Sequence, residues 1–259
     1  DKVGQKYLFE ALDSPMMATY VFYDRSEALE WAAAADYPKV FKLRHGASSS
    51  SVRLVRSEGE ARRIIKKAFR NGHPVYSSWE NLKDRYDLWK YGKYGIIDVF
   101  KGVGRFFYPP RFSQVLGLQP GSGVFQDFAP GTDSEGRIIV FGDRAVGSRR
   151  WVRPGDFRAS GSQRISHEHE YLDIEYVALA FQLAEKLGGQ SLAFDIIRKP
   201  DDSLAVIEVS YGFGWTGNCP GYWDRGLKWH GCNFRPEGWM VDLVLKSVDE
   251  GSRANKPTG

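Results

Sequence analysis

Two short apolar runs separated by a tight polar turn constrain this sequence most. Residues 192–198 read Leu-Ala-Phe-Asp-Ile-Ile-Arg, and residues 204–209 read Leu-Ala-Val-Ile-Glu-Val. The turn between them is Lys-Pro-Asp-Asp-Ser, so the pattern predicts two β-strands joined as a hairpin. Asp195 and Glu208 interrupt the apolar runs, and an unpaired carboxylate in such surroundings is costly. The hairpin therefore has to place these two acids where a partner stabilises them.

The acids of this hairpin predict a metal site. Glu208 and Ser210 are two positions apart, so their side chains share one face of the strand. Antiparallel pairing around the turn would bring Asp195 to the same face. Hard oxygen ligands of this kind suit Mg²⁺ held together with substrate phosphates. We expect Asp195, Glu208 and Ser210 to be metal ligands; the alternative is that they are ordinary polar residues of a strand.

A second pattern suits phosphate binding. Strands are predicted at 39–43 and 52–55, joined by the loop His-Gly-Ala-Ser-Ser-Ser-Ser. Lys42 stands just ahead of this loop of small residues, whose backbone N–H groups can hold phosphate oxygens. The predicted phosphate-binding residues are Lys42, Ser48, Ser49, Ser50 and Ser51. Such loops are also common as plain flexible turns.

A third pattern, at residues 126–160, begins in a strand predicted at 124–128 and contains a strand predicted at 137–141. Gly142 and Asp143 offer a turn before residues 144–152, and Arg158 follows within Gly-Asp-Phe-Arg. An arginine near a transferring phosphoryl group stabilises developing negative charge. A surface salt bridge is the alternative for Arg158. Between the second and third patterns, residues 73–120 are rich in aromatic and basic side chains and keep no clear period, which indicates an insertion with some helix.

Composition excludes several classes of protein. With 42% hydrophobic and 26% charged residues the chain is predicted to be globular and cytoplasmic. It contains no run of roughly 18–20 apolar residues, so no membrane partner is expected. The net charge of +4 favours anionic ligands without indicating nucleic-acid binding. Cys219 and Cys232 are too few for a disulfide framework and are predicted to be free thiols. His167 and His169 can bind metal but are more typical of a solvated helix start.

Taken in order, these segments resemble the ATP-grasp superfamily, specifically the RimK-type and D-alanyl-D-alanine-ligase-like carboxylate-amine ligases. The resemblance runs from Asp1 to about Tyr211. It implies an α+β fold with two lobes and ATP bound between them. The lobes are expected at 1–123, including the insertion, and at 124–249 with the metal site, followed by a disordered tail at 250–259. The resemblance also implies a small domain that precedes Asp1.

The same resemblance implies further site residues. Lys2 joins Lys42 as a ligand of the ATP phosphates, and Arg158 contacts the γ-phosphate. Asp133 and Arg137 stand where the family has Asp-x-Arg, although Ser-Glu-Gly lengthens the gap here. Ser210 replaces the asparagine that is the family's third metal ligand. Adenine is expected at a hinge formed by Gln126, Asp127, Phe128 and Ala129.

The implied activity is an ATP- and Mg²⁺-dependent ligase that joins a carboxylate to an amine through an acyl phosphate. The substrate is expected to be a small-molecule or saccharide carboxylate, with acceptor contacts from aromatic segments at 91–111 and 211–229. Two alternatives stay open. One is a kinase of the same fold that phosphorylates a hydroxyl, and the other is a nucleotide-binding module without turnover, for which Ser210 is the main argument.

Overall fold

The computed structural model describes residues 1–45, 52–152, 155–214 and 219–254, with side chains described through residue 248. The chain divides into two compact units. The first unit contains Asp1–Asp133 and Val152–Gln163, and the second contains Ser134–Trp151 and the chain from Arg164 onward. The lobe boundary expected after residue 123 falls at the edge of a strand, Gly123–Asp127, that belongs to the first unit.

The first unit alternates helices with short strands. Its elements are α1 (Lys2–Ala11), β1 (Thr19–Phe22), α2 (Arg25–Ala34), β2 (Lys39–Lys42), β3 (Val52–Val55), α3 (Glu58–Arg70), β4 (His73–Pro74), α4 (Ser78–Lys90), α5 (Ile96–Gly104), α6 (Arg111–Leu116), β5 (Leu118–Gln119) and β6 (Gly123–Asp127). Strands β1, β6, β2 and β3 form an antiparallel sheet in that order, and β4 pairs with β5. The predicted hairpin of β2 and β3 is thus confirmed, while the serines 48–51 of its loop lie outside the described residues.

The core of the first unit packs α2 and α3 on this sheet. Phe41, Phe125 and Ile65 are buried at its centre, and Trp31 lies 4.8 Å from Phe125 between ring centroids. Ser57 caps α3 as its sequence indicates, because its hydroxyl accepts a hydrogen bond from the backbone N–H of Glu60. The predicted insertion contains the three helices α4, α5 and α6.

The second unit is built on a larger sheet. Its elements are β7 (Ser134–Phe141), β8 (Arg144–Trp151), β9 (Ile165–Ser166), a 3-10 helix (His169–Tyr171), α7 (Ile174–Leu187), β10 (Ser191–Arg198), β11 (Leu204–Ser210), β12 (Cys219–Asp224), β13 (Trp229–Phe234) and α8 (Pro236–Ala254). The sheet order is β11-β10-β7-β8-β12-β13, and β9 pairs with β8. Helix α8 extends through Ala254, and the remainder of the tail expected at 250–259 lies outside the described residues.

The two faces of this sheet are covered by different elements. On one face, α7 packs so closely that a Cβ at Gly136 would lie 2.8 Å from the ring of Tyr176. On the other, Ile139, Phe141 and Val146 form an apolar cluster with Phe234. The mixture of helices and antiparallel sheets confirms the predicted α+β class. Within the described residues, every helix is too short or too polar to cross a membrane.

Replacing Gly72 with alanine is expected to destabilise the first unit by about 2–4 kcal/mol. Gly72 has a φ of +78° at the end of α3, and an added Cβ would lie 2.5 Å from the backbone carbonyl carbon of Gln119. Gly92→Ala is a matched control, because Gly92 also has a positive φ of +68° but nothing within 4 Å. Urea unfolding of both variants separates the backbone strain, which they share, from the clash with Gln119. Equal losses in unfolding free energy would show that the contact with Gln119 is unimportant.

Candidate functional site

The hairpin of β10 and β11 brings the three predicted metal ligands to one face of the sheet. Asp195 is directly opposite Glu208, and Ala193 is opposite Ser210. Residues opposite each other in an antiparallel pair point to the same side, and residues two apart on one strand do as well. Asp195, Glu208 and Ser210 therefore project from the same face of the second unit's sheet.

Two arginines on the neighbouring strands meet Asp195 on this face. Arg137 of β7 is opposite Asp195 and donates from Nη1 to both carboxylate oxygens at 3.0 and 3.1 Å. Arg150 of β8 donates from Nη2 to Asp195 at 2.6 Å and lies 2.7 Å from the carboxylate of Glu135. Glu135 and Arg150 are themselves opposite each other in the register of β7 and β8. We call Glu135, Arg137, Arg150, Asp195 and Glu208 the charged face.

Burial makes this network electrostatically strong. Glu135 is 7% exposed and Arg150 8%. Burial disfavours the charged form of Arg150, yet the carboxylates of Asp195, Glu135 and Glu208 outweigh it and raise the pKa of the guanidinium. Arg150 therefore stays cationic. Neither Glu135 nor Arg150 was among the predicted site residues.

Glu135, rather than Asp133, is the acidic residue that lies beside Arg137 on the charged face. The predicted Asp-x-Arg pair was Asp133 with Arg137, four positions apart. Glu135 is two positions before Arg137, on the same strand and the same face. Asp133 lies in the first unit, where its backbone carbonyl accepts a hydrogen bond from Val152. Glu135 thus supplies the acid-x-Arg spacing without an insertion.

The donors on the charged face fit a magnesium ion held with phosphates. The Glu208 side chain is half-buried, and among the described residues its carboxylate forms no ion pair. Ser210 donates its hydroxyl hydrogen to the carbonyl of Gly212 at 3.0 Å, which leaves its oxygen as an acceptor. No group of three or more His, Cys, Asp or Glu side chains clusters for a metal among the described residues. Two carboxylates therefore have to be completed by phosphate or water oxygens, as Mg²⁺ tolerates.

The first unit holds the predicted phosphate-binding lysines. Lys42 ends β2 and Lys2 begins α1, and both side chains are largely buried. The backbone N–H of Lys2 donates to the carbonyl of Arg44 at 3.1 Å, so the start of α1 lies against the segment that follows β2. The Asp1 carboxylate strengthens this junction, because it accepts from Arg44 at 2.8 Å. The two lysines therefore come from adjoining segments.

The predicted adenine segment lies at the end of β6. Gln126 is buried and its amide donates to Thr19 Oγ1 at 3.0 Å, while Asp127 accepts from Lys39 Nζ at 2.6 Å. The backbone N–H of Asp127 donates to Ala18. The ring centroid of Phe128 is 6.1 Å from that of Phe157, and Ala129 is buried. The side chains of Gln126 and Asp127 thus stiffen this segment, and their role in adenine binding stays a prediction.

Arg158 is held by its own loop. It donates from Nε and Nη2 to the carboxylate of Asp156 at 3.0 and 2.8 Å, and Asp84 of α4 is 3.7 Å away. Burial acts to raise the pKa of Asp156, but hydrogen bonds and the charge of Arg158 outweigh it and lower that pKa. The pKa of Arg158 is raised because Asp156 and Asp84 outweigh its burial. Arg158 is therefore a fixed, charged group whose planar head is already oriented.

A cavity of about 770 Å³ lies elsewhere in the second unit. Its polar lining includes His167, Glu168 and Asn233, and both cysteines also line it. Burial lowers the pKa of His167 and raises that of the Cys219 thiol to about 12, so both are neutral at pH 7. Both cysteines are free, as predicted. His169 instead stacks on Trp229, with ring centroids 4.5 Å apart.

Comparison with known proteins identifies the fold. Residues 114–218, which include β6 and the charged face, match the family model of the RimK-like ATP-grasp domain. This part of the chain is similar to a RimK-like ATP-grasp domain. The predicted resemblance is thereby confirmed, and no curated protein sequence matches the chain significantly.

Solved structures agree with this ATP-grasp fold. The ATP-grasp ligase PsnB, in complex with a phosphomimetic variant of its minimal precursor, Mg and ADP, aligns with a TM-score of 0.53 and 14% identity over 95% of this chain and 58% of that one. D-alanyl-alanine synthetase A from Vibrio cholerae aligns with a TM-score of 0.53 and 12% identity over 95% of this chain and 64% of that one. The biotin carboxylase domain of the 2-oxoglutarate carboxylase from Hydrogenobacter thermophilus, in complex with MgADP, ADP and bicarbonate, aligns with a TM-score of 0.51 and 15% identity. The alignment covers 83% of this chain and 40% of that one. The chain thus spans about two fifths to two thirds of these proteins.

Proposed function

We propose that this chain is the nucleotide-binding part of an ATP-dependent carboxylate-amine ligase. The observation that carries the proposal is the charged face, in which two opposed carboxylates, Asp195 and Glu208, lie beside two arginines within the part that is similar to a RimK-like ATP-grasp domain. Carboxylates of this kind bind Mg²⁺, and guanidinium groups bind phosphate oxygens. The ATP-grasp ligases of similar fold support the reaction class.

Each group of residues has a distinct role in this proposal. Asp195 and Glu208 hold Mg²⁺, with Ser210 as a weaker oxygen donor. When bound, the ion neutralises the charge of the nucleotide phosphates. Arg137 and Arg150 fix the orientation of Asp195 and add positive charge beside it. In the first unit Lys2 and Lys42 bind phosphates, and the Gln126–Ala129 segment binds adenine.

The proposed reaction proceeds in two steps. An oxygen of the substrate carboxylate attacks the γ-phosphorus of ATP, the bond to the β,γ-bridging oxygen breaks, and ADP leaves with an acyl phosphate formed. A neutral amine then attacks the acyl carbon, phosphate leaves, and the amine loses a proton to give the amide. Catalysis in the first step is mainly positioning and charge stabilisation, to which Arg158 contributes a fixed positive charge.

The substrates form the less specific part of the proposal. The cavity beside His167 offers neutral and acidic groups that suit an amine acceptor, and it includes part of the predicted acceptor segment at 219–220. A sugar- or polysaccharide-linked carboxylate is our candidate donor. A kinase that phosphorylates a hydroxyl is the second candidate function, because the same phosphate- and metal-binding groups serve both reactions.

Two measurements test this function. Calorimetry should detect binding of a non-hydrolysable ATP analogue that strengthens when Mg²⁺ is added. ADP release should then be screened with carboxylates in the presence and absence of amines. Release that requires a carboxylate and an amine supports the ligase, while release with a hydroxyl compound alone supports the kinase. Binding without any release across the screen would instead indicate a module without turnover.

A further inference from the structure

The helical insertion of the first unit exposes an unusual amount of apolar surface. Helix α5 and the segment through α6 carry ten large apolar side chains that are between 44% and 79% exposed. We call these residues the insertion surface: Ile96, Ile97, Phe100, Val103, Phe106, Phe107, Tyr108, Phe112, Val115 and Leu116. Exposed apolar patches of this extent mark interaction sites.

The orientation of α5 explains why its apolar stripe is open. The buried side of the helix is marked by Gly102, where an added Cβ would lie 2.9 Å from Arg85 and 3.1 Å from Leu82 of α4. Ile96, Phe100 and Val103 recur at helical spacing on the other side. An amphipathic helix in a globular protein normally turns this stripe to the core. Here α5 packs through a glycine and presents its apolar stripe outward.

The charges around the insertion surface are mostly positive. Residues 90–116 contain five basic side chains, Lys90, Lys93, Lys101, Arg105 and Arg111, and one acidic side chain, Asp98. That acid is used locally, because its carboxylate accepts from the backbone N–H of Gly95 and from Lys101 Nζ at 2.9 Å. The exposed apolar stripe is thus flanked by cations.

We propose that the insertion surface binds peripherally to an anionic phospholipid membrane. A short helix with an exposed apolar stripe and basic flanks lies in the interface of a bilayer with its apolar side chains among the acyl chains, and anionic headgroups attract the lysines and arginines. Interfaces between proteins are enriched in aromatic residues but depleted in lysine, and three of the five cations beside this surface are lysines, which favours an anionic bilayer as the partner. Since the described helices do not span a bilayer, this contact is peripheral.

The test is co-sedimentation with vesicles of defined composition. The protein should bind vesicles of equal parts phosphatidylcholine and phosphatidylglycerol and bind pure phosphatidylcholine weakly, with binding that falls as salt is raised. Ile97→Ser combined with Phe100→Ser should lower partitioning at least about tenfold, because both exposed side chains would lose burial in lipid. Lys93→Glu combined with Arg111→Glu should also weaken binding to the anionic vesicles.

A matched control comes from α8. Val241 and Leu245 are each 58% exposed on the second unit, so Val241→Ser with Leu245→Ser removes comparable apolar surface away from the insertion. This variant should bind vesicles as the wild type does. The proposal is overturned if the wild type does not bind anionic vesicles, if the control loses binding equally, or if the α5 variant instead abolishes self-association seen by analytical ultracentrifugation. Thermal unfolding of each variant verifies that it is folded.

Discussion

Replacing Arg150 with methionine is expected to lower the free energy of unfolding by about 3–5 kcal/mol. Methionine retains much of the aliphatic volume but removes the guanidinium that joins Asp195 at 2.6 Å and Glu135 at 2.7 Å. Both acids would lose this partner in a largely buried position, and breaking a buried ion pair by removing one partner is far costlier than losing a surface pair. Urea unfolding followed by far-UV circular dichroism measures the loss.

Two further variants separate the charge effect from a loss of packing. Arg149→Met changes the neighbouring arginine of β8, which is less buried and donates to Ser134 Oγ and the Tyr171 carbonyl on the opposite face. The Arg149→Met variant should lose about 1 kcal/mol of unfolding free energy. Glu135→Leu added to Arg150→Met should recover part of the stability, because an apolar pair replaces a charged one. Equal losses for Arg149 and Arg150 would contradict the central position of Arg150 in the network.

The sequence contained only part of the information for the metal-ligand face. The tight turn at 199–203 predicts the hairpin and places Ile196 opposite Val206, and the apolar runs leave Asp195 and Glu208 as the only acids within them. Extended evenly, that register would place Asp195 opposite Ile207, but a register shift between Asp195 and Ile196 brings Asp195 opposite Glu208. The shared face therefore depends on an irregularity that the turn does not predict. The structure confirms the pairing, while metal binding by these residues stays a prediction.

Glu135 and Arg150 were missed although a signal was present. Strands were predicted on both sides of the turn at Gly142 and Asp143, and a two-residue turn pairs positions at equal distances from it. Extending that register from Phe141 opposite Arg144 reaches Glu135 opposite Arg150. The prediction began β7 at Arg137 and so stopped short of this pair. The contact of Arg150 with Asp195 was harder to predict, because it depends on the adjacent order of β10, β7 and β8 in the sheet.

The ends of elements and the insertion were the hardest to predict. Asp24 and Ser26 both stand near the start of α2, and the structure uses Asp24 as the cap, which accepts from the N–H groups of Ser26 and Glu27. Either residue type can cap a helix, so composition alone does not choose between them. The insertion was hard to read because its helices α5 and α6 are short and α5 turns its apolar stripe outward, so that apolar residues there do not mark a core-facing side.

Replacing Glu208 with glutamine is expected to abolish the Mg²⁺-dependent part of nucleotide binding and to lower ADP release at least about a hundredfold. The change is nearly isosteric and removes one charged ligand. Because no ion pair ties up Glu208 in the described part of the chain, the network of Arg137, Arg150 and Asp195 should persist and the protein should stay folded. Calorimetry with the non-hydrolysable ATP analogue, with and without Mg²⁺, measures the loss.

Two further variants help to interpret the result for Glu208→Gln. Glu185→Gln changes an exposed acid of the same unit that pairs with Arg225 at 3.0 Å, and it should leave binding intact. Ser210→Asn introduces the asparagine that the resemblance implies at the proposed third ligand position, and it should strengthen the Mg²⁺ dependence because an amide oxygen reaches further than a hydroxyl. If Glu208→Gln bound the analogue with undiminished Mg²⁺ dependence, the ion would have to be held elsewhere and the role proposed for the charged face would be wrong. If all four proteins bound it without any Mg²⁺ dependence, basic side chains alone would account for phosphate binding, and the metal role proposed for Asp195, Glu208 and Ser210 would be wrong.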